Sequence, residues 1–538
     1  MMPPHMSARR NLYEDVLNEP DRTGRFFWWP HPTEAAFKAC ARHLDGAAYD
    51  RKAAAKMLVD QNRFFQAPPA AIEAAESLAH DGAVCAFTGQ QAGLFGGPLY
   101  TMHKALTLLG WTAKLRKMLN RPVVPIFWIA ADDHDFEEVR WSGYPDLDNE
   151  VKRVVLDGIS PGDRTPISQI TLGDGVTKAI AELRDGQLDT EFTDAVFKAL
   201  SEDYAPSRGM DEAFGRWIAR LLGPFGLVVF NPACLDAKTM MKPLVAEELR
   251  HHRKTASALS EINQRLEEAG YHQQVAHADA HTHLFYVHEG RHAVKIAGNG
   301  DLTTDPEQSV QPIDAWIKRL ESEPAAFSPG VLFRPVAQSY IFPVIASVCG
   351  PSEIAYWAQS RALFDRFGTV MPVVLPRSRA TIVESKNRKA VEKLGHSVEE
   401  FFGDVEAVIN RHFERSFPSN LEELFERERG DCRDRMETLR KAVVEFESTL
   451  DKTFEVSANR ISQTWDTLEK KVFQAHKRKG DEIRSKFYKL AAHLYPDGQP
   501  QERVFGVTYY LNKYGFEFLD RARQQLKIGT SEHQLIEP

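Results

Sequence analysis

Two short apolar runs, residues 83–88 (AVCAFT) and 123–131 (VVPIFWIAA), constrain this chain more than anything else in it. Each is rich in β-branched and aromatic residues and is bounded by glycine or proline, the pattern of a buried strand. Between them lies a glycine-dense stretch, then a segment of helix formers that begins at Pro98, a residue suited to a first helical turn, and is stopped by Pro122. A strand–loop–helix–strand unit of this kind is right-handed with parallel strands, and its ligands bind beyond the strands' C-terminal ends. The expected fold class is therefore α/β. The same grammar recurs later. Residues 210–222 predict a helix leading to a strand at 227–230, and strands at 340–348 and 370–375 flank a helix at 352–367. Residues 271–300 alternate and turn at His288-Glu289-Gly290, predicting a small β insertion.

At 538 residues the chain is too long for one core. The expected division is a helical region over 1–80, a core over 81–380 with insertions at about 142–210 and 233–325, and a helical domain over 381–538 whose end returns to the core. A net charge of -8 argues against nucleic acid as a partner. The longest apolar run, 123–131, is far short of the roughly 20 residues a membrane helix needs, and residues 1–10 hold no apolar segment of a signal peptide. The five cysteines are scattered and never form a CxxC pair, which predicts a reducing, cytoplasmic compartment and no cysteine-based zinc site. Cys85 and Cys349, in apolar runs, read as buried fillers.

The segment TGQQAGLFGGPLYTMHKAL, 88–106, places Gly89, Gly93, Gly96 and Gly97 between a strand and a helix. Glycines there let backbone N–H groups close on an anion, with His103 and Lys104 in the helix's first turns. A tight turn with solvated His and Lys is the plainer alternative. No Gly-Lys-Ser/Thr follows, and the spacing misses GxGxxG. AADDHDFEEV, 130–139, crowds Asp132, Asp133, His134, Asp135, Glu137 and Glu138 at the end of the second strand. Such crowding is costly unless a cation, a substrate ammonium or a metal, shares the site. The alternative is a solvated acidic turn. CGPSEIAYWAQ opens a helix at Gly350-Pro351 with Glu353 in its first turn, and LPRSRATIVESKNRK sets Arg377, Arg379, Lys386 and Arg388 near the same edge. His277, Asp279, His281 and His283 alternate, so one face of a strand could offer a metal at most two of them.

From about residue 382 to 493 the sequence turns charged and helix-forming. Leu439, Val443, Phe446 and Leu450, then Ile461, Trp465, Leu468, Val472 and Ala475, repeat at spacings of four and three, an a/d seam. A second copy of the chain is the expected cover for this seam, with an intramolecular hairpin as the alternative.

Five motifs in order, TGQQAGLFGGPLYTMHKA, PIFWIAADDHDFEEV, GPSEIAYWAQ, MPVVLPRSRATIVE and PQERVFGVTYYLNKYGFEFL, together resemble the bacillithiol-biosynthesis cysteine-adding enzymes, the BshC family, over nearly the whole chain. The resemblance implies a Rossmann-like core related to nucleotidylyltransferases, with inserted connecting regions and a C-terminal coiled coil that pairs two subunits. It also implies joining cysteine to the amino group of glucosaminyl-malate, driven by ATP, with Mg2+ left open as a companion ion. A nucleotidylyltransferase acting on another small molecule, or a nucleotide-binding coiled-coil scaffold, are the competing readings. The motifs nominate His103, Lys104, Asp133 and His134 for catalysis. For binding they nominate Gly89, Gln90, Gln91, Gly93, Gly96, Gly97, Tyr100, Trp128, Asp132, Asp135, Glu137, Glu138, Gly350, Glu353, Tyr356, Arg377 and Ser378, with no firm metal site.

Overall fold

The structure, a computed structural model, describes residues 10–276, 281–304, 309–478 and 480–538. The chain forms two compact units, one built from residues up to Val383 together with Gln501–Pro538, the other from Glu384–Pro500. His277 and Asp279 lie outside the described residues.

The first unit is organised by a five-stranded, wholly parallel sheet. Its strands are β1 (Val84–Gln90), β2 (Val123–Ile129), β3 (Val228–Phe230), β4 (Val344–Cys349) and β5 (Val373–Pro376), in the spatial order β5-β4-β1-β2-β3. Every residue of β2, β3 and β4 is buried, because helices cover both faces. The helices that matter for the site are α1 (Tyr100–Leu119), α2 (Met210–Leu222), α3 (Leu235–Glu268), α4 (Arg334–Ile341) and α5 (Pro351–Phe367). Asn120 ends α1 in a left-handed conformation (φ 51°), one residue before the Arg121-Pro122 stop.

The fold is the expected Rossmann-like α/β core, and its element boundaries follow the sequence closely with one correction. The run 340–348 reads as a single strand, but α4 continues to Ile341 and β4 starts only at Val344. Nearly all of α4 is buried, so it shows no polar face to betray its helical period, while Pro335 near its start favours a helical first turn. The stretch 142–210 carries an antiparallel strand pair (Trp141–Pro145 with Val151–Val155) and two short helices. The stretch 233–325 carries α3 and most of a four-stranded antiparallel sheet whose hairpin turns at His288–Gly290, as expected.

The second unit is helical. Its longest helices, α6 (Ser419–Phe446) and α7 (Asp451–Arg478), run antiparallel, with Phe425 edge-on to Trp465 (6.1 Å), Phe417 against Phe473 (5.6 Å) and Arg429 paired to Glu469 (2.5 Å). The seam read as one stripe from Leu439 to Ala475 is therefore broken at Glu447 and folded into a hairpin. Glu447 takes an extended conformation and its carboxylate caps the turn at Thr449. No helix among the described residues is long and apolar enough to cross a membrane.

Candidate active site

In the sheet order β5-β4-β1-β2-β3, the order in which strands are added reverses between β1 and β4, and a crevice opens beyond their C-terminal ends. The cleft there has a volume of about 400 Å³. The end of β1 supplies Thr88 to Gln91, the end of β4 supplies Ser347 to Gly350, and α5 begins at the rim with Ser352 and Glu353. The start of α5 aims the positive end of a 17-residue helix into the same space.

Charge is arranged in pairs around this cleft. Lys104 on α1 donates to Gly89 O and Gln90 Oε1 (both 2.9 Å) and lies 2.6 Å from Glu353 Oε2. Glu353 in turn accepts the Gly350 N–H (2.6 Å), closing the first turn of α5. Arg334 on α4 donates to both oxygens of Asp133 (2.7 and 3.3 Å), with Arg291 3.6 Å away. Burial pushes the Asp133 carboxyl up, but Arg334, Arg291 and His134 outweigh it and hold the group below the usual carboxylate range. Arg377, just past β5, lies over the Tyr100 ring (5.7 Å) and forms a two-point ion pair with Glu502 (2.5 and 2.7 Å). Glu138, at the rim, makes no ion pair among the described residues. Burial, then the charges of Asp135 and Asp133, push its carboxyl above the usual range. Burial also drives the Cys349 thiol and the Tyr356 hydroxyl well up, so both are neutral walls.

Of the expected site residues, Gly89, Gln90, Gln91, Tyr100, Lys104, Trp128, Asp133, Glu138, Gly350, Glu353, Tyr356 and Arg377 line the cleft. The others lie elsewhere. His103 points away from it, its Nδ1 2.9 Å from the buried Glu502, so it props the carboxylate that holds Arg377. Asp132 is sealed by Lys238 (2.9 and 3.0 Å) and borders a separate cavity with Asp211 and Asn231. Asp135 accepts from Gln91 (3.4 Å), Glu137 from Arg140 (2.9 Å), and Ser378 is buried with its hydroxyl on Lys527 O (2.8 Å). His134 does not line the cleft, and its Nδ1 is buried without a hydrogen-bond partner among the described residues.

The glycine loop is the main correction. Gly93, Gly96 and Gly97 do not face the cleft, and their N–H groups are engaged within the loop: Gly93 to Gln91 O, Gly96 to Gly93 O and to the Tyr204 hydroxyl, Gly97 to Leu94 O. Gly96 sits at φ 97°, where a Cβ would come within 3.2 Å of the Trp217 indole. These glycines let the chain fold tightly against α2 rather than opening onto the cleft. Sequence spacing could not separate the two, since both need glycine for the same backbone reason. Among the basic residues 377, 379, 386 and 388, Arg377 alone lines the cleft.

Sequence reading missed Arg334, Gln338 and Arg503. Arg334 and Gln338 are one helical turn apart on α4, inside the stretch whose helical period is hidden. Glu502 and Arg503 belong to PQERVFG, a motif visible in the sequence but given no role there.

The whole chain matches two family models, the bacillithiol biosynthesis BshC N-terminal Rossmann-like domain over residues 4–378 and the BshC C-terminal coiled-coil domain over 380–538. The chain belongs to the BshC family. Its BshC relatives include proteins named "Putative cysteine ligase BshC" from Salinibacter ruber, 30% identical over 99% of this chain and 97% of that one, and from Geobacillus thermodenitrificans, 29% identical over 99% and 98%. Another from Chlorobium phaeobacteroides is 28% identical over 96% of this chain and 93% of its own. Membership of this family makes the chain a ligase-type enzyme of bacillithiol biosynthesis, with the cleft at the β1/β4 crossover as its candidate active site.

Proposed function

We propose that this BshC-family chain joins the carboxyl of cysteine to the amino group of glucosaminyl-malate, driven by ATP. The observation that carries the reading is Glu138: a carboxylate without an ion pair among the described residues, raised in pKa, on the rim of a cleft whose other carboxylates, Asp133 and Glu353, are held by cations. An amine must lose a proton to attack an activated carboxyl, and a carboxylate of raised pKa is suited to take it.

In this reading one oxygen of the cysteine carboxyl leaves with the cleaved nucleotide, either as phosphate or within a nucleoside monophosphate. The amine nitrogen forms the new C–N bond, and its proton passes to Glu138. The polyphosphate fits the start of α5 and Lys104, a cation on a helix N-terminus being a ready anion site. Among the described residues no three His, Cys, Asp or Glu side chains converge to hold a metal ion, and no step is assigned to one. Incubation with cysteine, ATP and glucosaminyl-malate, read by mass spectrometry, tests the proposal. A product heavier than glucosaminyl-malate by one cysteinyl residue, formed only with ATP, supports it. Nucleotidyl transfer to the amine acceptor without cysteine incorporation would replace it with a nucleotidylyltransferase activity.

A further inference from the structure

Four cations line the cleft, and three are already matched by carboxylates: Lys104 by Glu353, Arg334 by Asp133, Arg377 by Glu502. A matched cation has part of its field cancelled locally, so each of these three attracts an anion less than an unmatched cation would. Arg503 differs. It makes no ion pair among the described residues, and its side chain is exposed at the cleft's edge.

Its backbone is nonetheless fixed. Arg503 lies on the four-residue turn α8 (Gln501–Val504), where the chain re-enters the first unit. Gln501 bonds both N–H and C=O of Ile382 (2.8 and 3.0 Å), Leu99 N–H donates to Phe505 O, and Gly506 N–H donates to Gly143 O (both 2.8 Å). Adjacent residues on this turn therefore serve opposite sides. Glu502 points inward to Arg377 and His103, and Arg503 faces the cleft.

Two neutral donors in the cleft wall also lack partners. Trp128 Nε1 and Gln338 Nε2 are buried without a hydrogen-bond partner among the described residues, at 3% and 7% residue exposure. A buried donor without an acceptor is costly, so such groups mark where a ligand atom completes the set. We infer that Arg503, with Gln338 and Trp128 of the same cleft wall, makes a subsite that recognises an oxygen-rich anionic group of the substrate, Arg503 supplying the charge and the two unpartnered donors further hydrogen bonds. This rests on the ligase reading of the cleft. The shared chemistry, a polyanion of carboxylate or phosphate oxygens, occurs in both the malyl group and ATP.

Calorimetric titration of the full-length protein with glucosaminyl-malate and, separately, with ATP distinguishes the two sources. Arg503→Ala should weaken one of these ligands at least tenfold, Arg503→Lys should recover part of the loss, and Gln338→Leu should weaken that same ligand at least threefold. Unaltered thermal melts would show that the exposed Arg503 variants remain folded. Loss confined to glucosaminyl-malate assigns the subsite to carboxylates, and loss confined to ATP assigns it to phosphates. Binding of both ligands to Arg503→Ala within twofold of the unmodified protein overturns the inference, as does a Gln338→Leu loss on the other ligand. If the unmodified protein forms no amide yet shows these ligand-specific losses, the ligase reading fails while the subsite stands.

Discussion

Glu138 lines this cleft while Glu502 is buried behind Arg377, and their surroundings set the two carboxylates to opposite tasks. Glu138 has its pKa raised by burial and by neighbouring Asp135 and Asp133, which makes it a stronger base than an ordinary carboxylate. Glu138→Gln should lower kcat by on the order of 100-fold, and should remove the acidic limb of the rate profile, which in the unmodified enzyme falls as pH drops through the raised Glu138 pKa. A profile identical in shape to the unmodified enzyme would assign the proton to another group. Burial pushes Glu502 up as well, but hydrogen bonds from His103 and Arg377 outweigh it and leave the carboxyl far below the usual range. Removing one partner of so buried a pair costs about 3–5 kcal/mol, which Glu502→Ala should show in urea unfolding at pH 7. Because folding lowers this pKa, its stabilisation is complete above the unfolded value of about 4.3 and is lost as pH falls below it. The deficit of the variant should therefore shrink in acid.

At the scale of elements, the loop between β1 and α1 and the long helix α3 each hold one residue whose surroundings set what a substitution does to stability. Gly96→Val would place a branched side chain at φ 97° against Trp217, combining backbone strain with overpacking. About 2–5 kcal/mol of destabilisation is expected, seen as a lowered melting temperature, with nucleotide affinity kept in whatever fraction stays folded. Selective loss of nucleotide binding at unchanged stability would restore the loop to the site. Helix α3 departs from helical geometry at His251 (φ -128°), and one turn before it Glu248 is buried between the Thr255 hydroxyl (2.5 Å) and the His283 N–H (3.3 Å). Burial raises this carboxyl to about 7. Here folding favours the protonated form, so stability falls as pH rises from about 4.5 to 7. Glu248→Gln, neutral throughout, should raise the melting temperature at pH 8.5 and leave it nearly unchanged at pH 5; an equal shift at both would mean Glu248 is not titrating in the folded protein.

For the whole molecule, the hairpin of α6 and α7 covers one side of each helix and leaves Phe446 86% exposed, with Leu439, Leu450 and Leu468 also exposed. Burying such side chains is worth roughly 1.5–3 kcal/mol each, and exposed a/d side chains are a usual means by which helices pair. We expect a homodimer formed through this unit. Leu450→Glu with Leu468→Glu should give a monomer that keeps ligand binding, since the cleft lies in the other unit. A light-scattering mass of one 60.9 kDa chain for the unmodified protein would rule the dimer out.

The sequence by itself determined the parallel core, because β1 and β2 are buried on both faces and so are written as unbroken apolar runs flanked by glycine and proline. It also located the cleft to within a few residues, since strand ends are marked by the change from apolar to polar side chains at Thr88 and Asp132. What it could not decide is where side chains in a crowded motif point. Asp132 and Asp133 are neighbours, yet one is sealed against Lys238 and the other meets Arg334 in the cleft. Glu502 and Arg503 reach the site from beyond a 117-residue unit (Glu384–Pro500), a juxtaposition that only the folded chain creates. Periodicity records local geometry. Pairing between distant charges is settled by packing, and here packing decided which of the candidate residues line the cleft.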